Sequence, residues 1–387
     1  MKISRVDSFA IRMEKGTHGN VRGGTQPQVD NLGDHVIAKN AWTAIYSQHH
    51  ETTIVRVESD SGVVGWGEAQ SPVSPRTTRT IVEDLCRPVV LGCDPMDVEY
   101  LWYRQYSAMR ERGHITGFYI DALAGVDIAI YDLLGKALNQ PVYRLLGGRY
   151  RDTVKTYVGI SGGTPEKVAE SAAEHVGYGY RALKMHLRVP NRELVEMVRA
   201  VRSAVGDEIE LMVDVHTTRD ISAAVELGRE LQTLGVRWLE SPTAPEDVAG
   251  QAEIARSLDM QVATGEWLRT AWEWRQFIEN RAVDAAMPDI ARTGLSEGKR
   301  IAGLCDIYNI PVTPHVGGGG ILSVAASVQF SAAIPNFQIL EHSHKAHEVK
   351  GAIATEFPRT VDGEFIMDEK PGLGVEIDEA VVEKFAV

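Results

Sequence analysis

Apolar and polar residues follow two rhythms along this chain. Residues 1 to about 13 and 52 to 70 alternate with a period of two, as half-buried strands do, and Ser61-Gly62 supplies a turn between two β-rich runs. From Arg76 to Leu145 the period lengthens, and Ala122, Val126, Ile130, Leu133 and Leu134 fall near one helical face. The stretch LLGGRYRDTVKTY reads as a helix stop followed by a new strand. Short apolar runs then alternate with amphipathic stretches. TYVGI, ALKMH, IELMVDV, VRWLE, QVATGE, DAAMPD, IPVTPH and FQILEH are the eight predicted strands. The helices between them carry end signals. Asn191 precedes the stripe Leu194, Val195, Val198, Val201, Val205, and Gly206 follows it. Asp220 is placed to cap a helix with Leu227, Leu231 and Leu234 inward, and Gly235 to end it. This alternation predicts a parallel sheet covered by helices. From about Lys350 the rhythm breaks into a turn, short strands and a terminal helix, expected to pack back on the first domain. The segment Glu14 to Thr43 is rich in Gly, Asn, Gln and His and reads as a long loop, a length that marks either disorder or function.

The strand ends carry a second regularity. Asp214, Glu240, Glu266, Asp289, His315 and Glu341 follow one another at steps of 26, 26, 23, 26 and 26 residues, each closing an apolar run. Roughly 25 residues make one strand, loop and helix of a β/α barrel, whose strand ends converge on one catalytic face. Carboxylates forced together there repel unless a cation joins them. Three oxygen donors, Asp214, Glu240 and Glu266, suit a hard cation that keeps open positions, and Mg²⁺ fits best. Any one of the three alone is as well explained by a cap or an ion pair; the equal spacing favours the metal.

Asp289 beside His315 would fix the imidazole tautomer and raise its basicity, making His315 a candidate general base; a loop-holding histidine is the plainer alternative. Gly317 to Gly320 follow, either a ligand-approaching stretch or a flexible turn. Lys184 and His186 share one side of their strand, and a buried lysine there would neutralise a substrate carboxylate. His216, two residues past Asp214, reaches the same cavity, as a reactive group or as a supporting hydrogen-bonder.

Composition narrows the function classes. The chain has 387 residues, enough for a barrel and a second domain. Its net charge of −13 argues against a nucleic-acid partner. Cys86, Cys93 and Cys305 make no C-x-x-C pair, so a reducing cytoplasm is expected. No secretory signal and no membrane-length apolar run is visible. A G-x-G-x-x-G after a strand is lacking, which disfavours a nicotinamide enzyme.

Taken together, the strand-end series and the motifs GVVGWGE, DIAIYDLLGKALNQPVYRLLGG and PGLGVEID resemble the enolase superfamily, in its mandelate racemase and sugar-acid dehydratase branch, over essentially the whole chain. The resemblance implies a (β/α)8-type barrel over residues 126–349. It also implies an α+β capping domain formed by residues 1–125 and joined by a returning segment, 350–387. Mg²⁺, abstraction of the proton next to a substrate carboxylate, and a homo-oligomer are implied as well. By position, Lys184 matches the first lysine of a K-x-K motif, whereas His186 stands where the second lysine would be, against a lysine-based racemase. His216 matches the acid that helps hydroxide leave in galactonate-dehydratase-like members. Glu341 matches the group that hydrogen-bonds the substrate carboxylate as charge develops. Ser241 departs from a common Glu, next to an intact Glu240.

With this resemblance, the residues imply a hydro-lyase acting on an acid sugar: His315 takes the C2 proton and His216 protonates the leaving 3-hydroxyl, giving a 2-keto-3-deoxy acid. His186 would replace His315 for the opposite C2 configuration. An epimerase, racemase or cycloisomerase of the same superfamily is the alternative, and a non-catalytic protein reusing the barrel a more distant one. The segment 14–43, with His18, Arg22, Gln28, His35 and Trp42, is either a lid gripping sugar hydroxyls or a mobile surface loop.

Overall fold

The computed structural model describes residues 1–15, 28–39 and 43–387. The first domain is built on an antiparallel sheet of β1 (Ile3–Glu14), β5 (His49–Ser59) and β6 (Val64–Ala69), in the order β1-β5-β6. The turn expected at Ser61-Gly62 joins the last two, with Gly62 at φ 81°. Both faces of the sheet bury side chains, Val6, Ala10, Val55 and Val57 on one side and Ile54 and Trp66 on the other.

The segment predicted as a loop contains structure. β2 (Gln28–Leu32), β3 (His35–Lys39) and β4 (Thr43–Ser47) form a separate antiparallel sheet. Its strands are five residues each, leave Leu32 and Ile45 exposed, and satisfy their backbone groups on one another. Of the residues assigned to a lid, His18, Arg22 and Trp42 lie outside the described residues, and Gln28 opens β2. The His35 ring contacts the Val73 carbonyl at 3.1 Å.

The helix Phe118–Leu138 is buried along most of its length, between the first sheet and the barrel. It runs unbroken through position 125, where the first domain was expected to end. The glycines of GVVGWGE admit it: a Cβ on Gly65 would stand 2.2 Å from the Ala129 carbonyl oxygen, and one on Gly67 2.1 Å from that of Gly125. Asp132 of this helix accepts the amides of Trp66 and Leu373, both at 2.8 Å, so one buried carboxylate ties β6 to the returning C-terminal segment. That segment also reaches β1, where the Val387 amide donates to the Ala10 carbonyl.

The second domain is the barrel. Parallel strands β7 (Thr153–Ile160), β8 (Ala182–His186), β9 (Glu210–Asp214), β10 (Val236–Glu240), β11 (Gln261–Thr264) and β12 (Ala285–Ala286) follow in sequence order, and β13 (Leu340–His342) pairs with β7 from the other side. The sixth strand is short and the seventh is no strand at all. Single bridges, Ala286 to Val312 and Val312 to Phe337, carry the ring across that gap. Pro288, Pro311 and Pro314 account for this, since each removes a ladder donor. The predicted helices lie outside. Leu194, Val198, Val201, Leu227 and Leu231 are fully buried, at roughly 1.5–3 kcal/mol each. Asp220 caps its helix through the Ala223 amide at 2.8 Å. Asn191 does not cap; it is the first helical residue after Pro190, and its amide bridges Ala223 and Arg219.

One cluster explains where the site sits. Tyr157, Ala182, Met212, Trp238, Ala263, Ala285, Met287 and Ile339 fill the barrel interior as a buried layer. With a period of two, residues two further along, Lys184, Asp214, Glu240, Asp289 and Glu341, project inward just above it. All three cysteines are free. No helix among the described residues is long and apolar enough to cross a membrane.

Candidate active site

Strand register sets the first contacts. His186 on β8 is paired with Asp214 on β9, which is paired with Glu240 on β10. Just past the ends of β9 and β10 the chain takes left-handed backbone at non-glycine residues: His216 (φ 49°), Thr217 (φ 60°) and Ser241 (φ 47°). Each costs about 1–3 kcal/mol, a strain found mainly where a site demands a shape. Asp214 helps hold this turn by accepting the His216 amide at 2.7 Å. Its other oxygen faces His186 Nδ1 at 3.2 Å, and the rings of His186 and His216 lie 4.9 Å apart.

Glu240 is 1% exposed. Lys184 Nζ donates to its Oε1 at 2.8 Å and Trp238 Nε1 to its Oε2 at 3.0 Å. Burial pushes the Glu240 carboxyl up to about 8, Lys184 works against this, and Asp214 and Glu341 reinforce it. Lys184 also approaches Glu341 Oε1 at 3.3 Å and stands 5.1 Å from the Tyr157 ring centroid. Burial opposes its charge, but Glu240 and Glu341 outweigh that and keep the ammonium protonated.

Around His315 the contacts are tighter. Asp289 Oδ2 lies 2.7 Å from Nδ1, and Glu266 Oε2 lies 2.6 Å from Nε2. Burial alone would drive the imidazole neutral; Glu266 and Glu341 prevail and raise it well above the ordinary histidine value. Glu266 is correspondingly held well below the usual carboxylate range, His315 overcoming its burial. Glu341 Oε2 accepts the amides of Val316 and Gly317 at 2.9 and 3.0 Å and lies 3.6 Å from His315 Nε2. Against its burial, Lys184 and His315 bring Glu341 down to about 2.

Lys184 faces Glu240 at 2.8 Å and His315 faces Glu266 at 2.6 Å. Burial and crowding that lift Glu240 to about 8 mark a place where more positive charge would be stabilising. An all-oxygen set of this kind suits a hard divalent cation. The trio Asp214, Glu240, Glu266 is not drawn together as closely as the spacing suggested. Among the described residues, the group of three acidic or imidazole side chains whose ligand atoms all fall within 4.8 Å is His186, Asp214 and His216. His186 Nε2 is buried and makes no hydrogen bond.

Four polar residues outside the strand-end series complete the surroundings. Arg292 Nη1 donates to the Glu266 carbonyl at 2.9 Å, and its Nε donates to Gln70. Gln70 Nε2 in turn donates to the Val316 carbonyl at 2.7 Å. Glu68 and Lys350 bind the chain after His315. None of these ends a barrel strand. The only sequence signal was a lone polar residue inside an apolar or glycine-rich run, such as GWGEAQ.

Comparison with known proteins agrees with this architecture. Residues 167–381 match the model described as enolase C-terminal domain-like. Residues 34–147 match that of the mandelate racemase / muconate lactonizing enzyme N-terminal domain. The chain is 34% identical to a D-xylonate dehydratase of Haloferax volcanii over 89% of this chain and 88% of that protein. It is 31% identical to a D-galactarolactone cycloisomerase of Agrobacterium fabrum, over 86% and 90%. A solved enolase-superfamily member from Agrobacterium tumefaciens superposes with a TM-score of 0.93 at 27% identity, covering 99% of this chain and 98% of that one.

Proposed function

Because this chain belongs to the enolase superfamily, in its mandelate racemase / muconate lactonizing enzyme branch, we propose that it is a Mg²⁺-dependent dehydratase of acid sugars. The observation that carries the reading is the joint presence of an oriented base and a separate histidine pair. Asp289 holds His315 by Nδ1, while His186 and His216 stand together beside Asp214.

Asp214, Glu240 and Glu266 would hold the Mg²⁺, whose chemistry, when bound, is to stabilise the negative charge that grows on the substrate carboxylate as the C2 proton leaves. Lys184, a buried ammonium aimed between Glu240 and Glu341, binds that carboxylate. With Nδ1 engaged by Asp289, Nε2 of His315 is the atom that receives the proton. That requires Glu266 to exchange its present partner, the same nitrogen, for another cation. The C2–H pair passes into the C2–C3 bond as C3–O breaks. His216 gives a proton to the departing hydroxide, and the resulting enol tautomerises to a 2-keto-3-deoxy acid. Glu341 is ionised in this arrangement. It orients the 316–317 amides and supports Lys184; donation to the substrate requires it to gain a proton once Lys184 turns to the ligand.

A cycloisomerase or epimerase is favoured by one observation, the placement of His186 with a buried Nε2 that makes no hydrogen bond. The likeness to the D-galactarolactone cycloisomerase supports the same alternative. Incubation with a panel of mono- and diacid sugars and Mg²⁺, read by semicarbazide for new 2-keto acid, tests the proposal. Isomerised product without keto acid across the panel would replace dehydration with the alternative.

A further inference from the structure

The loop from Val316 to Gly320 has many of its polar backbone groups bound by side chains from other parts of the chain. Glu341 takes the amides of 316 and 317, and Gln70 the carbonyl of 316. Lys350, 7% exposed, donates to the carbonyls of Gly318 at 2.9 Å and Gly319 at 2.6 Å. Glu68, fully buried, accepts the amides of Gly320 at 2.5 Å and Ser323 at 3.0 Å, with Thr52 at 2.7 Å on the same carboxylate. Gly320 and Ser323 open the helix Ile321–Ala333, so Glu68 also occupies the favourable N-terminal end of a 13-residue helix. The two charges come from opposite ends of the chain, Glu68 from β6 and Lys350 from the segment beyond β13.

The loop is in mechanical contact with the base. Gly317 has φ 46°, and a Cβ placed on it would lie 2.4 Å from His315 Cε1 and 2.6 Å from Nε2. The imidazole thus rests directly on the loop backbone. A shift there moves the nitrogen that must meet the substrate, and errors near 1 Å cost on the order of a hundredfold in rate.

We infer that Glu68 and Lys350 are positioning residues for His315, an anion and a cation that clamp the 316–320 loop so that the imidazole is presented only when both chain ends are seated on the barrel. The chemistry of the pair supports this. Burial presses the Lys350 ammonium down to about 8, against the pull of Glu68 and Glu341, and presses the Glu68 carboxyl up, against Thr52 and the two amides. These two buried charges direct hydrogen bonds at this loop and at the helix start that follows it. The inference rests on His315 as the base proposed above, but its test does not need a substrate.

The experiment compares the full-length wild type with Lys350→Met and Glu68→Gln. Hydrogen–deuterium exchange follows residues 316–320, and NMR of ¹³C-labelled histidine follows the His315 ring, its signal assigned with His315→Asn. Either variant is expected to speed exchange in the loop about tenfold or more, a local opening, with β8 to β10 unchanged. The His315 Cε1–H signal should shift or broaden in both. Any turnover on an acid sugar should lose kcat with KM within about twofold, the pattern of lost transition-state alignment. Two variants guard against a single failure to fold. An unaltered loop exchange, or a loosened loop with the His315 signal unmoved, overturns the inference. Absence of keto acid with wild type would count against the dehydratase proposal alone.

Discussion

Asp289 and His315, 26 residues apart, meet at 2.7 Å, with the Asp289 side chain wholly buried and that of His315 8% exposed. The carboxylate fixes the proton on Nδ1 and so reserves Nε2 for chemistry. Replacing Asp289 with Asn should leave the fold intact and lower C2 proton exchange by about 10²–10⁴, the usual worth of an oriented base. Exchange into deuterated buffer, followed by NMR of the substrate, measures this. His315→Asn should abolish exchange; persistent exchange would assign the base to His186.

His216→Asn separates the two halves of the reaction. It should retain C2 exchange and lose keto-acid formation by roughly a hundredfold or more. Dehydration at the wild-type rate would remove His216 from the acid role.

Thermal unfolding with and without Mg²⁺ locates the ion. Saturating Mg²⁺ should raise the melting temperature, since a ligand at 100 times its Kd contributes about 2.7 kcal/mol. Glu240→Gln should abolish the shift, and chelation should stop turnover. A shift that survives Glu240→Gln but disappears in His186→Ala would move the ion to the His186, Asp214, His216 group.

Asp127 offers a pH test away from the site. It is fully buried and accepts from Ser296 Oγ at 2.6 Å and from the Ser296 amide at 3.0 Å. Burial lifts it to about 7. A carboxyl raised in the folded state binds its proton more tightly there than in the unfolded chain. Its stabilising contribution is therefore complete at low pH and declines as pH rises from about 4 through about 7. Asp127→Asn should flatten this decline, by on the order of 1 kcal/mol or more between pH 5 and pH 8 in urea titrations. Equal slopes in both proteins would contradict the assignment.

Much of this was legible in the residues because barrel strands obey a strict period. A step of about 26 residues between polar strand-end side chains foreshadowed the register that pairs His186 with Asp214 and Asp214 with Glu240, and the contact of Asp289 with His315. The remainder has physical causes. Prolines shortened the sixth strand to two residues and reduced the seventh to bridges, while Asp289 and His315 still meet. The 28–47 sheet buries too little to show a periodic face. Spacing along the chain placed the carboxylates on neighbouring strand ends, but could not show that Glu240 and Glu266 turn to Lys184 and His315 as partners. Glu68, Gln70 and Lys350 are single polar residues whose roles exist only in three dimensions, where β6 and the C-terminal segment meet one loop.

Asp132 joins the amide of Trp66 to that of Leu373, and Val387 bonds to Ala10. During synthesis the ribosome releases β1, β5 and β6 long before residues 373 to 387 exist. The capping layer therefore waits, incomplete, while the whole barrel is made beneath it, and a nascent chain halted anywhere in the barrel carries a lid that cannot yet latch.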